Sequence, residues 1–122
     1  MAKLEKVTWD KVKNEKLSET ISRQMVYGDR AMVAKIFLKK GAVVPAHKHE
    51  SEQLTWIMSG ALEFTIDGNK LIVGANEVLK IPSMVEHAAV ALEDTYDIDI
   101  FSPIRNDWIK GDDSYLRKQT HA

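Results

Sequence analysis

His47 and His49 stand one residue apart in the run Ala46-His47-Lys48-His49-Glu50-Ser51-Glu52-Gln53, and His87 follows downstream. Three of the chain's four histidines fall in these two clusters. Neutral imidazole is the commonest protein ligand for divalent transition metals. Side chains alternate across a β-strand, so histidines at i and i+2 of one strand face the same side and can serve a single ion. The pattern predicts a mononuclear metal site inside a β protein, with His47, His49 and His87 as ligands. His121 lies in a polar C-terminal stretch and has no such support.

Glu52 and Gln53 compete for a fourth ligand position. Continuing the odd-numbered alternation from His47 and His49 favours Gln53, unless a turn breaks the parity, and leaves Glu52 as a solvated charge. An amide oxygen is a weaker, neutral ligand. Three imidazoles and an amide leave the full double charge on the ion, which suits polarising a hydroxyl or carbonyl better than stabilising a trivalent state.

A second constellation runs from Tyr96 to Trp108. In an extended strand Asp97, Asp99 and Phe101 share one face, while Tyr96, Ile98 and Ile100 share the other. Periodicity alone puts the isoleucines in the core and the aspartates in water. A carboxylate beside a metal would instead be a natural general acid or base.

These residues must be carried by short strands. Ile21 to Tyr27 and Ala31 to Leu38 are β-rich runs split by Gly28-Asp29. Leu54 to Met58 leads to Ser59-Gly60, and Leu62, Phe64 and Ile66 alternate with Glu63 and Thr65. Asp67-Gly68 is a two-residue hairpin signal, with Leu71 to Val73 returning. Val78 to Ile81 ends at Pro82, and Tyr96 to Phe101 forms the last clear strand. Thr8 to Glu19 reads as either a short helix or an irregular lead-in. Many short strands with frequent turns argue for a sandwich or barrel.

A chain of 122 residues is expected to form one domain over its whole length. The core is expected at about residues 20–103, between an N-terminal lead-in and a polar C-terminal tail. The 17 basic and 18 acidic residues are interspersed, so neither a nucleic-acid surface nor an anionic-membrane surface is advertised. There is no cysteine, which excludes disulfides, thiolate ligands and a cysteine nucleophile. The charged N-terminus carries no apolar segment, and a cytoplasmic location is expected.

The residues Gly41 to Gly60 resemble the first cupin motif, G-x5-H-x-H-x3or4-E-x6-G, with Gln53 in the glutamate slot. Asn76 to Ala91 resembles the second, G-x5-P-x-G-x2-H-x3-N, with Pro82 and His87 in register. Asn76 and Met84 replace its two glycines, and Ala91 its terminal asparagine. Asn tolerates the positive φ such a turn needs, whereas Met84 implies a reshaped loop. The stretch Asp99-Ile100-Phe101-Ser102-Pro103-Ile104-Arg105-Asn106-Asp107-Trp108 is similar to the D-x-F-S-P-x-R-x-D-W run of the small KdgF-type cupins, which also carry glutamine in the glutamate slot.

The resemblance implies an all-β fold, a small jelly-roll β-barrel with the metal inside. It implies conversion of unsaturated monouronates to the linear 4-deoxy-5-keto-uronate. On that mapping His47, His49, Gln53 and His87 hold the metal and Asp99 moves the proton. Phe101 shapes the pocket, and Arg105 pairs with a substrate carboxylate through its planar fork. Asp97 is expected nearer the rim, with a smaller part. The ion is expected to be zinc or nickel in the isolated protein, with iron or manganese the alternatives in the cell. Partners are expected to be a small carboxylate-bearing substrate and a second copy in a homodimer. Val7 and Trp9 are placed either against that copy or over their own barrel. Two other classes compete: a dioxygenase acting on a small organic substrate, and a non-catalytic small-molecule-binding module.

Overall fold

Among the described residues, ten strands pair antiparallel into two facing sheets. The computed structural model describes residues 3–117. The strands are β1 (Glu15–Lys16), β2 (Ile21–Tyr27), β3 (Met32–Leu38), β4 (Val43–His47), β5 (Glu52–Ser59), β6 (Ala61–Ile66), β7 (Asn69–Gly74), β8 (Val78–Ile81), β9 (His87–Ala91) and β10 (Thr95–Ser102). Two short helices follow, α1 (Asn106–Lys110) and α2 (Ser114–Arg117). One sheet has the order β1-β2-β3-β10-β5-β8 and the other β4-β9-β6-β7. The expected all-β jelly roll is the fold observed.

Alternation builds the core. Met32, Ala34, Ile36 and Leu38 of β3 are buried, and so are Leu62 and Phe64 of β6, while the residues between them are partly exposed. The hairpin at Asp67-Gly68 forms as expected: both residues have positive φ, 57° and 79°, and Glu63 to Ile66 pair back onto Asn69 to Ile72. Gly60 admits no side chain, because a Cβ there would run into the Asp94 carbonyl and Thr95. Asn76 makes its turn at φ 67°, and Met84 adopts the same left-handed conformation at φ 65° with its side chain exposed. The loop therefore keeps the turn a glycine would make, at a strain of about 1–2 kcal/mol.

One open alternative is settled and two expectations are corrected. Thr8 to Glu19 is the irregular lead-in rather than a helix: only Trp9–Lys11 form a 3-10 turn, and β1 follows. The core reaches beyond residues 20–103, since Leu17, Trp108 and Leu116 are buried in it. Residues 103–117 are thus not a polar tail but a helical cap, while His121 lies outside the described residues. Trp9 stacks over Lys35 of its own β3 at 5.1 Å, whereas Val7 stays exposed.

The cap is fastened by charge. Arg23 of β2, fully buried, lies 2.7 Å from buried Asp113 and donates through Nε to Glu15 at 3.1 Å. Arg117 Nε donates to the same Asp113 at 2.6 Å. The Arg23 guanidinium also rests on the Trp108 ring at 4.6 Å. A buried cation with two carboxylate partners avoids the penalty of an unpaired charge.

Candidate metal centre

The two sheets each deliver part of one site. His47 ends β4 and His87 begins β9, and the two are cross-strand partners with ring centroids 4.3 Å apart. His49 lies past the end of β4, in the loop, so strand alternation is not what aims it. The loop turns it back to 5.6 Å from the His47 ring and 5.2 Å from the His87 ring. One candidate ligand atom from each of the three histidines lies within 4.8 Å of the others.

Backbone carbonyls set the tautomer of all three rings. Nδ1 of His47 is 2.9 Å from the Pro45 carbonyl, Nδ1 of His49 is 2.9 Å from that of Ser51, and Nδ1 of His87 is 2.9 Å from that of Val85. A carbonyl only accepts, so each Nδ1 carries the proton and each Nε2 presents a lone pair. Burial lowers the pKa of His47 and His49 to about 4 and also lowers that of His87, leaving neutral imidazoles at pH 7.

Gln53 enters from the opposite sheet. It is buried on β5 while Glu52 is exposed, as the alternation predicts. Its Nε2 donates to Thr55 Oγ1 at 2.8 Å, which turns Oε1 toward His49 Nε2 at 3.0 Å. With Nδ1 protonated, both of those facing atoms are acceptors, and a cation between them resolves the repulsion. His87 Nε2 is buried with no hydrogen-bond partner among the described residues. These orphaned lone pairs fit a divalent transition ion, with three imidazole nitrogens and an amide oxygen as donors.

Thr55 extends the polar chain. Buried and directly paired with Asp99 in the sheet, it donates from Oγ1 to Asp99 Oδ1 at 2.8 Å. Alternation on β5, from Gln53 to Thr55 to Ile57, would have found it.

Asp99 is 5% exposed and lines a cavity of about 50 Å³ together with His47, Gln53 and His87. Its pKa is pushed up to about 6 by burial, against the lowering influence of Asp97 and of the Thr55 hydroxyl. The polar face of β10 therefore points inward, while Tyr96 and Ile100 are exposed. Hydrophobic periodicity gives the reverse orientation. Asp97 is also corrected: it is as buried as Asp99 and lines the same cavity rather than its rim.

Phe101 and Arg105 do not line this cavity. Phe101 is fully buried, edge-on to His49 at 5.7 Å and to Trp108 at 5.0 Å, so it backs the His49 ring. Arg105 is 3% exposed and spends its fork internally: Nε and Nη2 donate to the two oxygens of Asp107 at 2.9 and 2.8 Å. Nη2 also donates to Tyr115 Oη at 3.1 Å, as does Trp108 Nε1 at 3.0 Å. Its Nη1 is buried without a hydrogen-bond partner among the described residues. Burial opposes the Arg105 charge, but Asp107 and Tyr115 outweigh it and raise its pKa. Tyr115 of α2 lies over His47 with ring centroids 4.6 Å apart and lines the same cavity. The aromatic residues Trp108 and Tyr115 were the signal that this segment packs.

Residues 35–102 match the cupin domain family. The chain belongs to the cupin family. This cupin is 31% identical over 98 residues to the pectin degradation protein KdgF of Dickeya dadantii (strain 3937), covering 78% of this chain and 89% of that protein. The RmlC-like cupin of Shewanella frigidimarina superposes with a TM-score of 0.80 at 27% identity, over 88% of this chain and 97% of that one. KdgF from Halomonas sp. superposes with a TM-score of 0.75 at 30% identity, over 81% and 94%. Among the described residues of this cupin, no helix is long and apolar enough to cross a membrane.

Proposed function

We propose that this cupin is a metal-dependent enzyme that converts unsaturated monouronates to the linear 4-deoxy-5-keto-uronate. The observation that carries the reading is the hydrogen-bonded chain from Gln53 through Thr55 to Asp99, which joins the ligand cluster to a buried carboxyl. The likeness to KdgF, a pectin degradation protein by name, supports the substrate class.

A divalent ion, zinc or nickel in the isolated protein with iron or manganese the alternatives in the cell, would be held by His47, His49, His87 and the Gln53 amide oxygen. When bound, it supplies Lewis acidity toward a substrate hydroxyl or carbonyl oxygen, undiminished by any anionic ligand. The conversion is an isomerisation that needs no oxidant. The bond from the ring oxygen to the anomeric carbon breaks, the anomeric hydroxyl loses its proton as an aldehyde forms, and C4 gains a proton as the enol becomes a ketone. Asp99 is the group that moves the proton, with Oδ1 held by the Thr55 hydroxyl.

Arg105 can offer a substrate carboxylate only Nη1, because Asp107 holds its fork. Phe101 backs His49 and carries the Arg105 guanidinium on its ring at 5.0 Å. A homodimer is supported by apolar side chains left exposed, Val7 on the lead-in and Trp56, Tyr96 and Ile100 on the six-stranded sheet.

The deciding experiment measures loss of the substrate's conjugated double bond beside oxygen uptake, using metal-loaded protein and an unsaturated monouronate. Loss of the double bond with no oxygen consumed is expected. Oxygen uptake, or no turnover in any of the four metals, overturns the reading.

A further inference from the structure

Tyr115 stands where the helical cap meets the ligand cluster. Its place is fixed from both sides. Asp113 before it and Leu116 after it are buried, and Asp113 pairs with Arg23 at 2.7 Å and with Arg117 at 2.6 Å. So pinned, α2 sets the Tyr115 ring on the cavity wall and over His47, with centroids 4.6 Å apart. His47 ends β4, is partly exposed, and is otherwise held by the bond from its Nδ1 to the Pro45 carbonyl.

The phenol oxygen is engaged as well. It accepts from Arg105 Nη2 at 3.1 Å and from Trp108 Nε1 at 3.0 Å. Asp107 takes Nε and one hydrogen of Nη2, and Tyr115 takes the other hydrogen of Nη2. Nη1 alone keeps its hydrogens, buried and without a partner among the described residues. A buried charged donor left in this way calls for a ligand. Asp107 lies on α1 two residues from Arg105 and is partly exposed, so their bridge fixes the guanidinium to its own helix but not to the metal ligands. Phe101 lies against the guanidinium at 5.0 Å and Trp108 at 4.5 Å, ring contacts that fix no direction within the plane. The Tyr115 hydroxyl supplies the directional tie. Without it, Arg105 Nη2 and Trp108 Nε1 would lose the acceptor they share.

We propose that Tyr115 is a positioning residue that sets Arg105 relative to the metal ligands. Its ring holds His47, and its hydroxyl holds the guanidinium so that Nη1 is the end a substrate carboxylate meets. The inference rests on the reading of Arg105 as the carboxylate-binding group, and it adds a residue which that reading does not include.

The test uses the full chain loaded with zinc and calorimetric binding of two unreactive probes, galacturonate and its uncharged counterpart galactose. Zinc affinity of the metal-free protein and kinetics on an unsaturated monouronate complete it. Tyr115→Phe keeps the ring and loses the oxygen. Galacturonate affinity should fall about 5- to 20-fold and KM rise by as much, with galactose and zinc binding within about twofold of wild type. In an Arg105→Ala background the same substitution should change galacturonate binding less than about twofold, because the hydroxyl acts through the guanidinium. Tyr115→Leu loses the ring too, and zinc affinity should fall about tenfold. Unchanged or tighter galacturonate binding in Tyr115→Phe, an equal loss for galactose, or the same loss in the Arg105→Ala background overturns the proposal. So does unchanged zinc affinity in Tyr115→Leu. Should Tyr115→Leu or Arg105→Ala fail to fold, Tyr115→Phe decides alone through the two sugars. Turnover with Tyr115→Phe indistinguishable from wild type overturns the role of Tyr115 and not the reaction. A wild type that shows the binding pattern but leaves the unsaturated uronate untouched overturns the reaction and not the role of Tyr115.

Discussion

Thr55→Val removes one hydroxyl from the middle of the polar chain and tests whether that chain orders the site. Thr55 is 1% exposed, and its Oγ1 accepts from Gln53 Nε2 and donates to Asp99 Oδ1, each at 2.8 Å. Valine keeps the β-branched shape that a strand favours, so the effect is polar rather than steric. A hydrogen bond to a charged group contributes about 1.5–3 kcal/mol and a neutral one about 0.5–1.5, so the variant should lose roughly 2–4 kcal/mol of folding stability. Urea unfolding of the metal-free protein at pH 7 reads this as a lower midpoint with an unchanged slope. The Gln53 amide also loses the acceptor that turns Oε1 toward His49. Metal affinity by calorimetry should therefore weaken about 10- to 100-fold, the usual cost of removing a group that orients a ligand. A stability loss below about 0.5 kcal/mol, within the range of ordinary surface substitutions, together with unchanged affinity would refute the argument.

Asp99→Asn should keep its fold and its metal but lose kcat by about 100-fold or more, since an amide cannot exchange the proton; metal analysis beside kinetics checks it. Gln53→Glu places an anion on the ion and removes the donor to Thr55. Metal affinity should hold or rise while kcat falls about tenfold or more, and a rise in kcat would contradict the Lewis-acid reading. The sign of the pH dependence follows from the imidazoles. With the pKa of His47 and His49 depressed to about 4 rather than 6.5, protons compete with the metal only at low pH. Metal affinity measured by calorimetry should be flat from neutrality down to about pH 5 and fall steeply as the pH approaches 4. A decline already centred at pH 6.5 would show that the rings are solvated.

Much of the site was legible because its chemistry is local. The pair His47 and His49, the downstream His87 and the inward parity of Gln53 all follow from residue type and spacing, and the strands at Ile21–Tyr27 and Val78–Ile81 have the predicted bounds. Periodicity failed at β10, where isoleucines face outward and aspartates inward. Hydrophobic patterning assumes that burial follows apolarity, and a strand lining a polar cavity breaks the assumption. The cap was missed for a different reason. Helices of five and four residues are too short to show a 3.6-residue period. Their place depends on Arg23, far off in sequence, whose pairing with Asp113 no local pattern reveals. His49 reached the cluster by a loop whose path strand alternation does not describe.

The position of β10 has a consequence for how the chain acquires its shape. It is the last strand in sequence, yet it lies between β3 and β5 in the six-stranded sheet and bonds to both. Until residues 95–102 arrive, that sheet exists only as two unjoined pieces with open edges, β1-β2-β3 and β5-β8. Closing it joins segments some sixty residues apart, as in Asp99 with Ala34, and such distant pairings make folding slow. A ribosome-bound chain ending before Thr95 thus presents unpaired strand edges, the species most exposed to aggregation. The same strand brings Asp97 and Asp99, so the carboxyl pair and the completed sheet form in a single late step, and no folding intermediate lacking β10 can hold the finished site.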